Sequence, residues 1–198
     1  MPLEIIQCEQ NSPEWYAARC GIITSSNFAK VMAKGRDGKS PSETRKKYMW
    51  QLAGERIRGE AGDSFSNEYM KRGHEYEPAA LNVYTERTGF EVEKVGFLRN
   101  GYYGASPDAL VAGQRRGAEF KTRNADLQVE LLLADRMPPE HKAQVQGNIF
   151  VYEADCWDFC SFCPGLPFFM QTAKRDEEYI ATLVGRDAAT DLAVLKIA

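Results

Sequence analysis

Two short apolar runs on either side of the pentapeptide AGQRR (112–116) constrain this chain more than any other feature. Residues 102–111 (YYGASPDALV) and 117–122 (GAEFKT) read as strands, and the pentapeptide as the turn between them. If that turn is symmetric about Gly113-Gln114, Asp108 and Glu119 lie equally far from its centre and face each other across the hairpin. Glu119 and Lys121 are two apart on one strand, so both point to the same face. Any fold the chain adopts must therefore accept two carboxylates and one ammonium converging from neighbouring strands. Lys121 has small or apolar strand neighbours, so its charge is drawn into the sheet and needs a partner. Ser106-Pro107 restricts the backbone immediately before Asp108.

That set of groups suits phosphodiester hydrolysis. Hard oxygen ligands hold Mg²⁺ or Mn²⁺, the ion activates water and stabilises charge on the phosphate, and a lysine orients or deprotonates the attacking water. A surface ion pair across a hairpin is the plainer alternative, and such a pair contributes little.

The remaining pattern frames the hairpin. Ser12-Pro13 opens a short helix through Arg19. Ser25 or Ser26 caps a second helix through Lys30, and Ser40-Pro41-Ser42-Glu43 forms a capping box for a third that stops at Gly59. A long helix is expected over 67–88, ended by Gly89 and turned or kinked at Pro78. On it Glu77 shares a face with Leu81 and Tyr84, and an inward carboxylate needs a metal, a cation (Arg72 or Arg87) or hydrogen bonds. Residues 90–98 (FEVEKVGFL) alternate as a strand. A helix follows Pro138-Pro139 over 140–152, with Gln144, Asn148 and Val151 forming a partly polar inner stripe suited to a cleft. Strands over 156–163 and 167–173 precede a mostly helical tail from Arg175. The order gives an α/β or α+β chain with a mixed central sheet flanked by helices, and 198 residues fit one domain, 1–198.

Net charge is −3, but the segment from Lys30 to Arg58 carries +6 and the rest −9. That asymmetry allows a polyanion on one side and a metal on another, although on charge alone a solvated helix face is the plainer reading. The N-terminus shows no basic-then-apolar leader pattern and no apolar run approaches a membrane span, so a cytoplasmic protein without membrane contact is expected. Five cysteines, Cys8, Cys20, Cys156, Cys160 and Cys163, read as reduced thiols. An iron–sulfur cluster on the three late cysteines is set aside, since Cys160 and Cys163 point to opposite faces of a strand. His74 and His141 lack zinc-site spacing.

Six segments stand out along the chain: WYAARCGIITSSNF (15–28), RGHEYEPAA (72–80), GASPDAL (104–110), GAEFKT (117–122), AQVQGNIFV (143–151) and RDEEYIATL (175–183). Together, and in this order, they resemble the phage lambda exonuclease family, the trimeric branch of the PD-(D/E)xK (restriction-endonuclease-like) nucleases. The resemblance implies a metal-dependent exodeoxyribonuclease that degrades one strand of linear duplex DNA from its 5′ end to mononucleotides. It also implies a homotrimeric ring working with a single-strand annealing protein in phage-type recombination. By similarity Asp108, Glu119 and Glu77 hold Mg²⁺, with Mn²⁺ able to substitute and two ions per site. Lys121 positions the water, Gln144 lies beside it, and Arg19, Ser26 and Arg36 receive the 5′-phosphate. Ser26 also falls at an expected helix N-terminus, where unpaired N–H groups favour a phosphate. Family members often carry Cys-Pro after the lysine, whereas this chain has Thr122-Arg123, which leaves the following loop unassigned. An endonuclease or junction resolvase of the same fold, or a non-catalytic DNA-binding module, are the alternatives.

Overall fold

The computed structural model describes residues 2–62 and 68–185, the side chains of 68–74 excepted. Asn67, the side chains of Arg72 and His74, and the tail beyond 185 lie outside the described residues.

The chain opens with β1 (Glu4–Ile6), α1 (Pro13–Arg19) and β2 (Ile23–Thr24). A single 3₁₀ turn (Ser25–Asn27) leads into α2 (Phe28–Met32), followed by α3 (Glu43–Arg58) and α4 (Glu68–Thr88). The strands β3 (Val92–Glu93), β4 (Phe97–Asn100), β5 (Tyr103–Ala105), β6 (Ala109–Val111) and β7 (Arg116–Thr122) come next. After α5 (Ala125–Ala134) and α6 (Lys142–Tyr152), the chain adds β8 (Cys156–Phe162), β9 (Phe169–Lys174) and α7 (Glu177–Val184).

The expected mixed α/β architecture is present, but the strands form two sheets. One runs β1-β4-β5-β2 and the other β3-β6-β7-β8-β9. In the second, β7 and β8 are parallel while the other pairs are antiparallel. Residues 90–98 are not one strand, because β3 pairs with β6 in the larger sheet and β4 with β1 and β5 in the smaller. Nor are residues 102–111. The chain leaves one sheet at Ala105 and enters the other at Ala109, with Ser106-Pro107-Asp108 as the crossing. The cause lies in proline chemistry: Pro107 has no N–H for a ladder and restricts the residue before it.

Helix ends largely follow local chemistry. Ser12 caps α1 by accepting from the Trp15 N–H. In α3 the cap is Ser42, two residues later than the capping-box reading, with its Oγ accepting from the Arg45 N–H at 3.1 Å. Ser40 is unavailable because its N–H and hydroxyl both donate to Asp37. Ser26 sits inside the 3₁₀ turn rather than at a helix start, and α2 has only five residues. Pro78 is accommodated within a continuous α4. The helix α5 was invisible to periodicity, since ADLQVELLLA is apolar almost all round and exposes Leu127, Val129 and Leu133.

The main core gathers Phe28, Leu98, Ile149, Val151, Trp157 and Phe159 between α6, α2 and the two sheets. Gly147 lets α6 close onto this core, since a Cβ there would run into the Phe28 ring and the Ser25 side chain. Gly113, at φ +68°, makes the β6–β7 turn. All five cysteines are free thiols, as expected. Among the described residues no helix is long and apolar enough to cross a membrane.

Candidate active site

The β6–β7 register fixes the centre of the site. Ala109 pairs with Ala118 and Leu110 with Gly117, so the ladder extended by one step sets Asp108 opposite Glu119. The symmetric-turn expectation therefore holds. Asp108 Oδ2 accepts from the Phe120 N–H at 2.6 Å, tying the crossing segment to β7.

Glu119 is 4% exposed and its carboxylate is gripped from three directions. Oε1 accepts from Lys121 Nζ at 2.7 Å and from Gln144 Nε2 at 2.6 Å. Oε2 accepts from Asn148 Nδ2 at 3.1 Å. Gln144 and Asn148 come from one face of α6, one turn apart, so the polar stripe read from the sequence does face a polar site. Asn148 was legible in that stripe but had no role assigned to it. It is fully buried, and its Oδ1 has no hydrogen-bond partner among the described residues.

The charges are strongly coupled. Withdrawal from water, and then the neighbouring Glu119 carboxylate, push the Asp108 pKa well above the usual carboxylate range. Lys121 and the Phe120 N–H oppose that shift without overcoming it. Burial pulls the Lys121 pKa down, but Glu119 and Asp108 outweigh it and raise the pKa overall, so the side chain is an ammonium at neutral pH. Beside it, His141 is pushed down to about 4 by burial and by the charges of Lys121 and Arg123. Its ring stacks on Phe159, with Nε2 2.7 Å from Arg123 Nη2, a donor that makes Nε2 the acceptor of a neutral imidazole.

Glu77 lies on the far side of Asp108, across a cavity of about 430 Å³. Its charge is felt at Asp108, raising the aspartate pKa further. Its Oε1 is taken by Lys94 Nζ at 2.9 Å, a cation that the alternating 90–98 pattern had assigned no function. Among the described residues no three His, Cys, Asp or Glu side chains gather closely enough to enclose an ion. The donor set nonetheless fits a hard divalent cation. Two carboxylates face each other with one ammonium on Glu119, and among the described residues Asp108 Oδ1 accepts no hydrogen bond.

The residues expected to receive a phosphate, Arg19, Ser26 and Arg36, each have their own surroundings. The Arg19 guanidinium stacks on Trp15 at 3.9 Å and donates to Ser106 Oγ at 3.0 Å, two residues before Asp108. Ser26 is exposed, its Oγ 3.3 Å from Thr24 Oγ1, and Arg36 is exposed on the turn before α3. Asp37 is occupied by the N–H groups of Lys39 and Ser40 and by the Ser40 hydroxyl. Part of the basic segment is engaged locally: Lys46 pairs with Glu43, Arg58 with Glu60, and Arg56 donates to the Gly21 carbonyl.

Asp108, immediately before β6, and Glu119 and Lys121 of the adjacent β7 thus converge beside Gln144 of α6 in one polar cluster on a mixed sheet. Residues 14–155 match the YqaJ-like viral recombinase domain, and the chain belongs to that family. Its structure is similar to that of an alkaline exonuclease from Laribacter hongkongensis, with 31% identity, 93% of each chain covered and a TM-score of 0.80. The same enzyme in complex with dAMP matches at 32% identity, over 93% of each chain, with a TM-score of 0.80. A phage-related exonuclease from Haemophilus somnus 129PT shares the fold at 15% identity, covering 88% of this chain and 93% of its own, with a TM-score of 0.65. A sequence search among curated proteins returned no match.

Proposed function

We propose that this protein is a divalent-metal-dependent exodeoxyribonuclease that degrades one strand of linear duplex DNA from its 5′ end. The observation that carries this is the Glu119 carboxylate, held by Lys121, Gln144 and Asn148 and set beside the charge-stressed Asp108. Asp108 and Glu119 would hold the cation, Mg²⁺ or Mn²⁺, with Glu77 as a third carboxylate and two ions per site as part of the same proposal. When bound, the metal lowers the pKa of water and neutralises charge on the scissile phosphate.

The protein groups divide the remaining work. Gln144 and Asn148 fix the plane of the Glu119 carboxylate from opposite oxygens. Lys121, whose Nζ donates to Glu119 Oε1, would orient water and offset developing negative charge. Arg19 donates to Ser106, two residues before Asp108, a placement that supports a terminal-phosphate contact, with Ser26 and Arg36 completing the group. A homotrimeric ring around DNA, and a single-strand annealing protein as partner in recombination, belong to the same proposal.

The test is digestion of 5′-phosphorylated linear duplex with Mg²⁺, alongside 5′-hydroxyl and circular duplexes. Rapid release of mononucleotides from the phosphorylated linear substrate alone is the expected outcome. Equal cutting of the circle would replace an exonuclease with an endonuclease. Arg19→Ala should narrow the preference for phosphorylated ends more than it slows a single cut, and unchanged discrimination would remove Arg19 from the end-binding group.

A further inference from the structure

Lys94 stands where the proposed metal centre meets solvent. It lies between β3 and β4, with its side chain 57% exposed, and its ammonium is 2.9 Å from Glu77, whose side chain is 23% exposed. Both residues line the cavity of about 430 Å³ that also touches Val95, Pro107 and Asp108. Glu119 is served by Lys121, and Glu77 by Lys94. Among the described residues, two ammonium groups thus sit against these carboxylates, one on Glu119 and one on Glu77. A divalent ion settling on Asp108 and Glu119 would find Glu77 as its next oxygen donor, already engaged.

We propose that Lys94 is an internal competitor for the divalent cation, holding Glu77 in the cation-free protein and yielding it when the site fills. This rests on the metal-centre assignment made above. The energetics are Coulombic: a fixed positive charge beside the site disfavours an incoming 2+ ion, and it ties up one of the oxygens that would bind that ion. Lys94 therefore sets the metal concentration at which the site becomes loaded, without touching DNA or the reacting atoms. An ordinary exposed ion pair would have no such effect on metal affinity.

The experiment measures Mn²⁺ binding to the DNA-free protein, by the loss of the free-ion electron paramagnetic resonance signal and by calorimetry. Lys94→Met should bind Mn²⁺ about fivefold more tightly, as expected for removing one nearby charge in a water-exposed setting. Lys94→Arg, which keeps the charge, should match the parent. In a Glu77→Gln background the Lys94→Met change should have little further effect. Parental or weaker Mn²⁺ affinity in Lys94→Met overturns the proposal. Asp108→Asn is the separate control. If it leaves Mn²⁺ binding intact, the metal centre itself is misassigned and the role of Lys94 falls with it.

Discussion

Two aspartates on the larger sheet have opposite surroundings. Asp158, on β8, is fully buried and accepts four hydrogen bonds: Arg116 Nε at 2.8 Å and Nη2 at 2.6 Å, the Tyr84 hydroxyl at 2.7 Å and the Thr172 hydroxyl at 2.6 Å. Asp108, across β7 on the site side, has the single N–H of Phe120 and faces a second carboxylate. Asp158 is a carboxylate whose charge the fold has used up, and the same network pushes the Tyr84 phenol pKa upward through burial and the Asp158 bond. Asp108 is one whose charge the fold leaves under-compensated. The contrast separates a group that builds the sheet from one that a cation or substrate must complete.

The strongest way to break this comparison is to neutralise both residues without changing their shape. Asp108→Asn should lower the rate of DNA cleavage at least about 1,000-fold, since it removes a ligand needed for metal-assisted hydrolysis. Its melting temperature without metal should stay level or rise, because a stressed charge has gone. Near-normal cleavage at saturating Mg²⁺ would remove Asp108 from the site. Asp158→Asn should do the reverse, costing about 3 kcal/mol in a urea unfolding titration by leaving Arg116 without its buried partner. A variant as stable as the parent would mean that the cluster is not structural.

Asn148→Ala sharpens the boundary between the two kinds of group. It should reduce cleavage about tenfold or more, as is usual when a side chain orienting a ligating carboxylate is lost. The metal concentration for half-maximal rate should rise with it, whereas a purely structural role would lower the melting temperature without moving that concentration.

The smallest effect concerns His141. Its folded-state pKa of about 4 lies below its ordinary value, so between about pH 6.5 and 4 the unfolded chain binds the extra proton and the folded chain does not. Its contribution to stability is therefore present above pH 6.5 and is lost as the pH falls towards 4. His141→Phe should flatten the decline in melting temperature across that window, and an unchanged slope would assign the acid sensitivity elsewhere.

How far the sequence reached follows from the range of its signals. Asp108, Glu119 and Lys121 were readable because a short hairpin and a two-residue alternation fix their placement locally. Gln144 and Asn148 were readable as one helical stripe. The sheet exchange at Pro107 was not, since 102–111 satisfies the strand pattern on both sides and only pairing with β4 and β7 reveals the break. The helix α5 escaped for lack of an amphipathic period, and β1 because three residues carry no pattern at all. Lys94 escaped because a charge among alternating residues looks like any solvated strand position until Glu77 is seen beside it. Membership of the family was legible in the six segments, and the matched region and the structural relatives bear it out.

The three-residue crossing also limits how such a chain can change in length. Ser106 is held by Trp15 and Arg19, the Pro107 carbonyl by Gln10, and Asp108 by Phe120, while separate ladders pin the strands on either side. One inserted residue adds about 3.3 Å and reverses the facing of everything after it. The insertion would turn Asp108 away from Glu119 or drag β6 out of register, and a deletion would do the same in the other direction. The turn at Gly113-Gln114, only a few residues on, is exposed, and its tethers begin at Arg115, whose carbonyl accepts from the Asp155 N–H at 2.9 Å, so length can be added between Val111 and Arg115. Within one hairpin, then, one end is closed to insertions and deletions, and the other is where length variation can accumulate.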